Sequence, residues 1–345
     1  MLYDIIILIA GIALLVAGSN YLTDGAVAVA RRFHVSEMII GLTVVALGSS
    51  MPDIMICIES ALKGKSTIAV GDIIGANIFD MLLVVGIMAL IRPLRLSREM
   101  VSGDLPMLAM SAGALWIAGN TKLFDATPQN VISRSSGLLL LILFCLYLSS
   151  TIRSAKTQIA ATSTSTAEAS PANNSGANTV AAATGDSTAA QPRRIAQPLA
   201  WTMIIGGLAA LVVGGNWVVD GASGIALKAG MTQSMVALTV VAIGNSLPDL
   251  VTSVVATVKG EPRLALGNIV GSCIINILFA LGLSASITPL ASGSIGMPDF
   301  LTLVGAAVLL WVIPLLTQSH SFPRLPGAAF ILMYIAYFVY VILTA

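Results

Sequence analysis

The sequence predicts an all-α integral membrane protein in which ten transmembrane helices form two inverted five-helix repeats, the second and seventh helices being broken. Three observations carry this. The 345 residues are 57% hydrophobic and 10% charged, against roughly 25% charged in an average soluble domain. Apolar runs near the length of about 20 residues that crosses a hydrocarbon core occur ten times, in two groups of five. Finally, residues 18–94 align without a gap onto 214–290 at a constant offset of 196, with 28 of 77 positions identical.

Taken in order, the first run, 4–22, lacks a basic leader and passes into Gly18-Ser19-Asn20 rather than a cleavage site, so it reads as a retained helix. The second, 38–60, carries Gly48 and Pro52 mid-span, and the third, 66–91, is interrupted only by Asp72, Asn77 and Asp80. Spans at 100–119 and 133–152 complete a first unit, 1–153. Residues 154–195 include TSTSTAEASPANNSGANTV and hold too few large apolar side chains for a core, so they read as a flexible linker. The second unit, 196–345, places spans at 197–220, 232–258, 263–288, 297–317 and 325–343. Its first span carries Gly206, Gly207, Gly214 and Gly215 where the opening span carries Gly11 and Gly18; such smooth faces suit close packing or sliding. Cys57, Cys145 and Cys273 all lie in apolar runs and read as free thiols.

Charge sets the orientation. Loops after the odd-numbered spans hold twelve of the 17 Lys and Arg, so the positive-inside rule puts the linker in the cytoplasm and both termini outside, in a multi-pass protein of the plasma (inner) membrane. Net charge is only +1, which offers no basic surface to a nucleic acid. The expected partners are the lipid bilayer and inorganic cations; no bound cofactor is expected, and the sequence leaves the oligomeric state open. With five spans per half, the second half enters the membrane inverted, a recurring plan of secondary transporters.

The best-matched stretches are LTVVALGSSMPD (Leu42–Asp53) with LTVVAIGNSLPD (Leu238–Asp249), and GDIIGANIFD (Gly71–Asp80) with GNIVGSCIIN (Gly267–Asn276). Pro52 and Pro248 cannot donate a backbone hydrogen bond, so carbonyls near Ala46–Ser49 and Ala242–Asn245 are expected to lose helical partners and become available to cations. A proline kink alone would be packing. An aspartate after each proline is different, because a carboxylate at mid-bilayer is costly and marks function. Hydroxyls of Ser50, Ser246, Thr43 and Thr239 and the Asn245 side chain surround Asp53 and Asp249, making an all-oxygen shell suited to Ca²⁺, Mg²⁺ or Na⁺. Two carboxylates about 5 Å apart at an effective dielectric of about 20 repel by roughly 3 kcal/mol, which a bound cation or proton removes. A shared cavity lets the pair alternate between a divalent ion and monovalent ions or protons.

These motifs resemble the alpha repeats of the calcium/cation antiporter superfamily, in its sodium/calcium exchanger membrane-protein branch. The resemblance implies that Asp53 and Asp249 stand where paired glutamates ligate Ca²⁺, with backbone oxygens of Ser49 and Asn245 completing that site. It puts Ser50, Ser246, Ser272, Asp80 and Asn276, with the carbonyls of Ala46 and Ala242, at counter-ion positions. Asp72, Asn77 and Asn268 fit packing or support of the ligands. Departures accompany the match. Aspartate is shorter than glutamate, so each carboxylate retracts by up to about 1.5 Å, and Ala76, Cys273 and Asn245 replace Ser, Asn and Thr of the family pattern.

The function expected is secondary antiport of a divalent cation, Ca²⁺ first, against Na⁺, K⁺ or H⁺ by alternating access. The alternatives are a proton-coupled antiporter of Mg²⁺ or Mn²⁺ and a passive cation channel. An intramembrane aspartyl protease would use two aspartates sharing a proton, but its G-x-G-D sequence is absent and both aspartates lie in duplicated segments. A carrier of anionic solutes is disfavoured because paired acids repel them.

Overall fold

The computed structural model describes residues 2–33, 37–64, 66–124, 130–168, 197–228, 244, 246–293, 295–317 and 321–344. In hydrocarbon no water satisfies the backbone, so each apolar run closes its own hydrogen bonds as a helix. The helices are α1 (Leu2–Phe33), α2 (Gly41–Ser49), α3 (Met51–Leu62), α4 (Ser66–Ile91), α5 (Met100–Gly119), α6 (Arg134–Glu168), α7 (Gln197–Lys228), α8 (Leu247–Val258), α9 (Pro262–Ile287), α10 (Met297–Leu316) and α11 (Arg324–Thr344). Among the described residues, eight helices are long and apolar enough to cross a membrane, and α2 with α3 makes a ninth crossing bent by 50°. The seventh predicted span is represented by α8; its first part, 232–243, lies outside the described residues.

One boundary moves. The sequence places the linker from residue 154, whereas α6 continues unbroken to Glu168. The stretch Arg153–Ala161 is rich in Ala, Lys and Gln, good helix formers whose polarity hides them from a hydropathy reading. The remainder of the linker lies outside the described residues.

α4 and α9 occupy the centre, with 78% and 94% of their spans buried against 11–39% for the other six unbent spans. Each carries a π-helical turn, Phe79–Val84 and Asn276–Leu281, a distortion that commonly accompanies a functional position. Asn77 Nδ2 donates to the Cys273 carbonyl at 3.4 Å. These two residues are repeat equivalents, so their contact lies on the pseudo-two-fold axis.

α1 and α7, also repeat equivalents, run antiparallel in backbone contact. A Cβ on Gly18 would lie 2.9 Å from the Gly207 carbonyl, and one on Gly11 2.9 Å from that of Gly214. Gly25 meets Ala200 and Gly221 meets Asp4 in the same way, which directly displays the inversion of the repeat. Gly206 has no described atom within 4 Å of such a Cβ, and Gly215 faces Pro248 instead. Buried side chains divide between a large cluster around α4 and α9 and a smaller one joining α1, α2 and α7, including Leu15, Leu22, Val45, Ile204 and Leu211. The α1–α7 pair is thus a packing unit largely of its own.

The sequence predicts no strands, yet four two-residue strands form and join in two pairs. β1 (Leu94–Arg95) pairs antiparallel with β4 (Ser321–Phe322), and β2 (Val131–Ile132) with β3 (Leu290–Ala291). Each links a loop of one half to a loop of the other.

Candidate cation site

Pro52 and Pro248 occupy the first turns of α3 and α8, where a missing N–H is tolerated because it has no intrahelical partner. Asp53 and Asp249 follow in those same turns. Amide groups at a helix start carry partial positive charge, which favours a carboxylate there. Both are nearly buried, at 7% exposure each. The expected release of the Ala46 carbonyl does not occur, since the Ser50 N–H donates to it at 3.0 Å. The helix bends after this bond is made, and a second backbone N–H at the cap reaches the Gly48 carbonyl, so neither carbonyl is left bare. Thr43 also departs from expectation: its hydroxyl donates at 2.7 Å to the Ile39 carbonyl, in the helical turn Glu37–Ile40 that leads into α2.

α9 faces these breaks with Asn268, Ser272 and Asn276, spaced four apart and therefore on one side of the helix. Asn276 Nδ2 donates to Asp53 Oδ2 at 2.9 Å, and Asn268 Nδ2 to Asp249 Oδ1 at 3.2 Å. Ser49 Oγ lies 3.2 Å from Asn268 Oδ1 and 3.1 Å from Ser272 Oγ, whose hydroxyl in turn reaches the Ala46 carbonyl at 3.5 Å. From α4, Asp80 is 1% exposed and interacts electrostatically with both Asp249 and Asp53. Ser246 occupies the N-cap position of α8 without a side-chain capping bond and is buried, as is Ser50. Ser50 Oγ, Asp80 Oδ1 and Asn276 Oδ1 have no hydrogen-bond partner among the described residues. No three His, Cys, Asp or Glu side chains among those residues form a dedicated metal cluster, so any cation here must draw on neutral oxygens as well.

The structure therefore brings together Asp53, Asp249, Ser49, Asn268, Ser272 and Asn276 by direct contacts, with Asp80 in electrostatic range. Asn245, Ala242 and Thr239 lie outside the described residues. Asn268, which the sequence leaves between packing and support, directly orients Asp249. The four-residue spacing with Ser272 and Asn276 is the signal that could have singled it out.

A cavity of about 870 Å³ reaches Asp249, Ser246 and Ser49 and is also lined by Asp72 and Asp299. It opens on the face holding the N-terminal ends of α4 and α10, where Tyr337 Oη donates to Asp299 Oδ1 at 3.0 Å. Repeat-equivalent positions differ across the membrane: Asp72 borders the cavity half-buried, whereas Asn268 is 1% exposed. On that second face α2 and α9 are in backbone contact, a Cβ on Gly41 lying 2.5 Å from the Leu264 carbonyl.

Two inverted units, a pair of buried carboxylates at helix starts and a one-sided cavity describe a carrier. The profile of the "Sodium/calcium exchanger protein" family matches residues 3–153 and 199–343, both repeats in full. The chain belongs to the sodium/calcium exchanger family. It is a multi-pass membrane protein and a cation antiporter rather than an enzyme. The sodium/calcium exchanger MaX1 of Methanosarcina acetivorans is 28% identical, with 97% of each chain covered. Inner membrane protein YrbG of Escherichia coli K12 is 32% identical over 84% of this chain and 81% of its own. Among solved structures, the sodium-calcium exchanger NCX_Mj soaked with zero Na⁺ and Ca²⁺ superposes with a TM-score of 0.78 at 25% identity, covering 97% of this exchanger and 98% of that chain. NCX_Mj soaked with 2.5 mM Na⁺ and 0.1 mM Ca²⁺ gives 0.77 at 26% identity.

Proposed function

We propose that this exchanger binds Ca²⁺ between Asp53 and Asp249 and exchanges it for Na⁺ by alternating access, the same carboxylates serving both ions. One observation carries the reading: two repeat-related buried carboxylates, each at the start of a helix and each held by an asparagine of α9, stand with Ser50, Asp80 and Asn276 oxygens that have no hydrogen-bond partner among the described residues. A buried acceptor left unsatisfied costs about 1–3 kcal/mol, which cation coordination recovers. An oxygen-only donor set selects hard cations. Asn268 donates to one oxygen of Asp249 and Asn276 to one oxygen of Asp53, which fixes where each carboxylate meets the ion. Ser49, Ser50, Ser246, Ser272, Asp80 and Asn276 supply the remaining oxygens; Asn245, the repeat equivalent of Ser49, is assigned to the same shell.

Access alternates because the two units can exchange conformations: the cavity now beside Asp72 and Asp249 closes, and its repeat equivalent opens beside Asn268 and Asp53. The Lys and Arg bias makes the present open face extracellular, with both termini outside and the linker cytoplasmic. The similar NCX_Mj structures describe extracellular ion exchange, and YrbG is an inner membrane protein. Both support that orientation in the inner membrane. K⁺ or H⁺ as counter-ion, or Mg²⁺ or Mn²⁺ as cargo, would use the same oxygens.

Calorimetric titration of the purified exchanger tests the site. Ca²⁺ is expected to bind in competition with Na⁺ and to lose measurable binding in Asp53→Asn and Asp249→Asn. Binding of Mg²⁺ or Mn²⁺ tighter than Ca²⁺ would reassign the cargo, and Ca²⁺ binding untouched in both variants would remove the site.

A further inference from the structure

The ion pairs of the two repeats differ in the same sense as the cavity. On the shut face, Lys259 at the end of α8 reaches Asp24 of α1 at 2.7 Å and the Asn20 carbonyl at 3.2 Å. The offset of 196 maps this set onto Lys63, Asp220 and Asn216. Lys63 ends α3 at the open face, while Asp220 and Asn216 lie on α7, Asn216 lining the cavity. Here the set is apart. Lys63 pairs with Glu59, one turn back on its own helix, and Asp220 makes no ion pair with a described residue. Both lysines precede a turn glycine of positive φ, Gly64 (φ 70) and Gly260 (φ 88), so their backbone settings match. The equivalent of Glu59 is Val255, which means the competing acid exists only on the open side.

We infer that Lys259–Asp24 and Lys63–Asp220 are alternating latches, each closing when its own face shuts; this rests on the alternating-access reading above. Lys259 ties α1 to α8 now. When the open face shuts, Lys63 leaves Glu59 for Asp220 and the Asn216 carbonyl, while Lys259 releases Asp24. The latches span the joint that must move, between the α1–α7 packing unit and the helices that carry Asp53 and Asp249. Their strength fits a switch: at 26% and 49% side-chain exposure, the formed pair is partly screened, so it biases the two states without locking either. Lys63, Lys259, Asp24 and Asp220 are thus positioning residues, acting on which face is open rather than on the ion.

The test measures conformation, not flux. Spin labels at Leu62→Cys and Trp217→Cys, both exposed, in a Cys145→Ser background report the approach of α3 to α7 by electron–electron distance. Lys259→Gln removes the latch that favours the present state and should raise the short-distance population about two- to fivefold, the effect of losing one partly exposed pair. Asp220→Asn should lower it by a similar factor. The exchanged pair Lys259→Asp with Asp24→Lys should restore the parent ratio, which a merely structural role would not do. Shifts in the same direction, no shift in either, or no restoration would overturn the latches. A parent protein with one distance under every Na⁺ and Ca²⁺ condition would instead overturn alternating access itself.

Discussion

Asp53 and Asp249 owe their position to the proline before each: a helix starts there, α3 after a 50° bend from α2, and the carboxylate falls in its first turn. What holds each carboxylate is an amide of α9, and the two amides make different predictions from a third nearby. Asn268→Ala should weaken Ca²⁺ binding about tenfold or more, the usual cost of losing a group that orients a metal ligand. Asn77→Ala should leave affinity close to the parent, because the Asn77 amide goes to the Cys273 carbonyl on the symmetry axis. Titration calorimetry of the two variants checks both outcomes. The carboxylates were legible in the sequence because acids are rare in apolar runs and these two recur at the repeat offset. The role of Asn268 was not, since it depends on how α9 is rotated about its axis, which hydropathy cannot fix when the helix is buried all round. The Ala46 carbonyl is a related case: proline predicts a bend but not whether the bend leaves a carbonyl bare, and here the Ser50 N–H satisfies it.

Helices behave as their composition directs, with instructive exceptions. The bend between α2 and α3 falls at Pro52, whose ring crowds the preceding turn, so Pro52→Ala should relieve that crowding, straighten the span and slow exchange while the protein remains folded; transport rate against thermal midpoint separates the two effects. In the α1–α7 pair, Gly18→Leu and Gly207→Leu each push a side chain into the opposite backbone and should abolish exchange. Gly206→Leu, with no described atom in the way, should leave exchange near the parent level in the same flux assay. Sequence treated all six glycines alike, because smoothness is visible in a sequence and facing direction is not. The spans themselves were legible from length and polarity. The continuation of α6 to Glu168 and the two strand pairs were not, one being a polar helix and the others only two residues long.

At the scale of the molecule, inversion was legible from an odd number of spans in each half, and the antiparallel contact of α1 with α7 displays it. Orientation in the bilayer is a separate matter of charge. An epitope fused after Ala345 should be accessible from outside intact cells, and one inserted in the 169–196 segment only after permeabilisation; the reverse pattern would invert the topology. The central claim joins these scales: one pair of carboxylates, shared by two inverted units, couples opposite fluxes of unlike cations. Its most direct measurement is ⁴⁵Ca²⁺ uptake into proteoliposomes under imposed Na⁺, K⁺ or H⁺ gradients, for the parent, Asp53→Asn and Asp249→Asn. The account predicts Na⁺-gradient-driven uptake in the parent and none above background in either variant. Undiminished gradient-driven uptake in both variants, or parent uptake that ignores every counter-ion gradient, would contradict it.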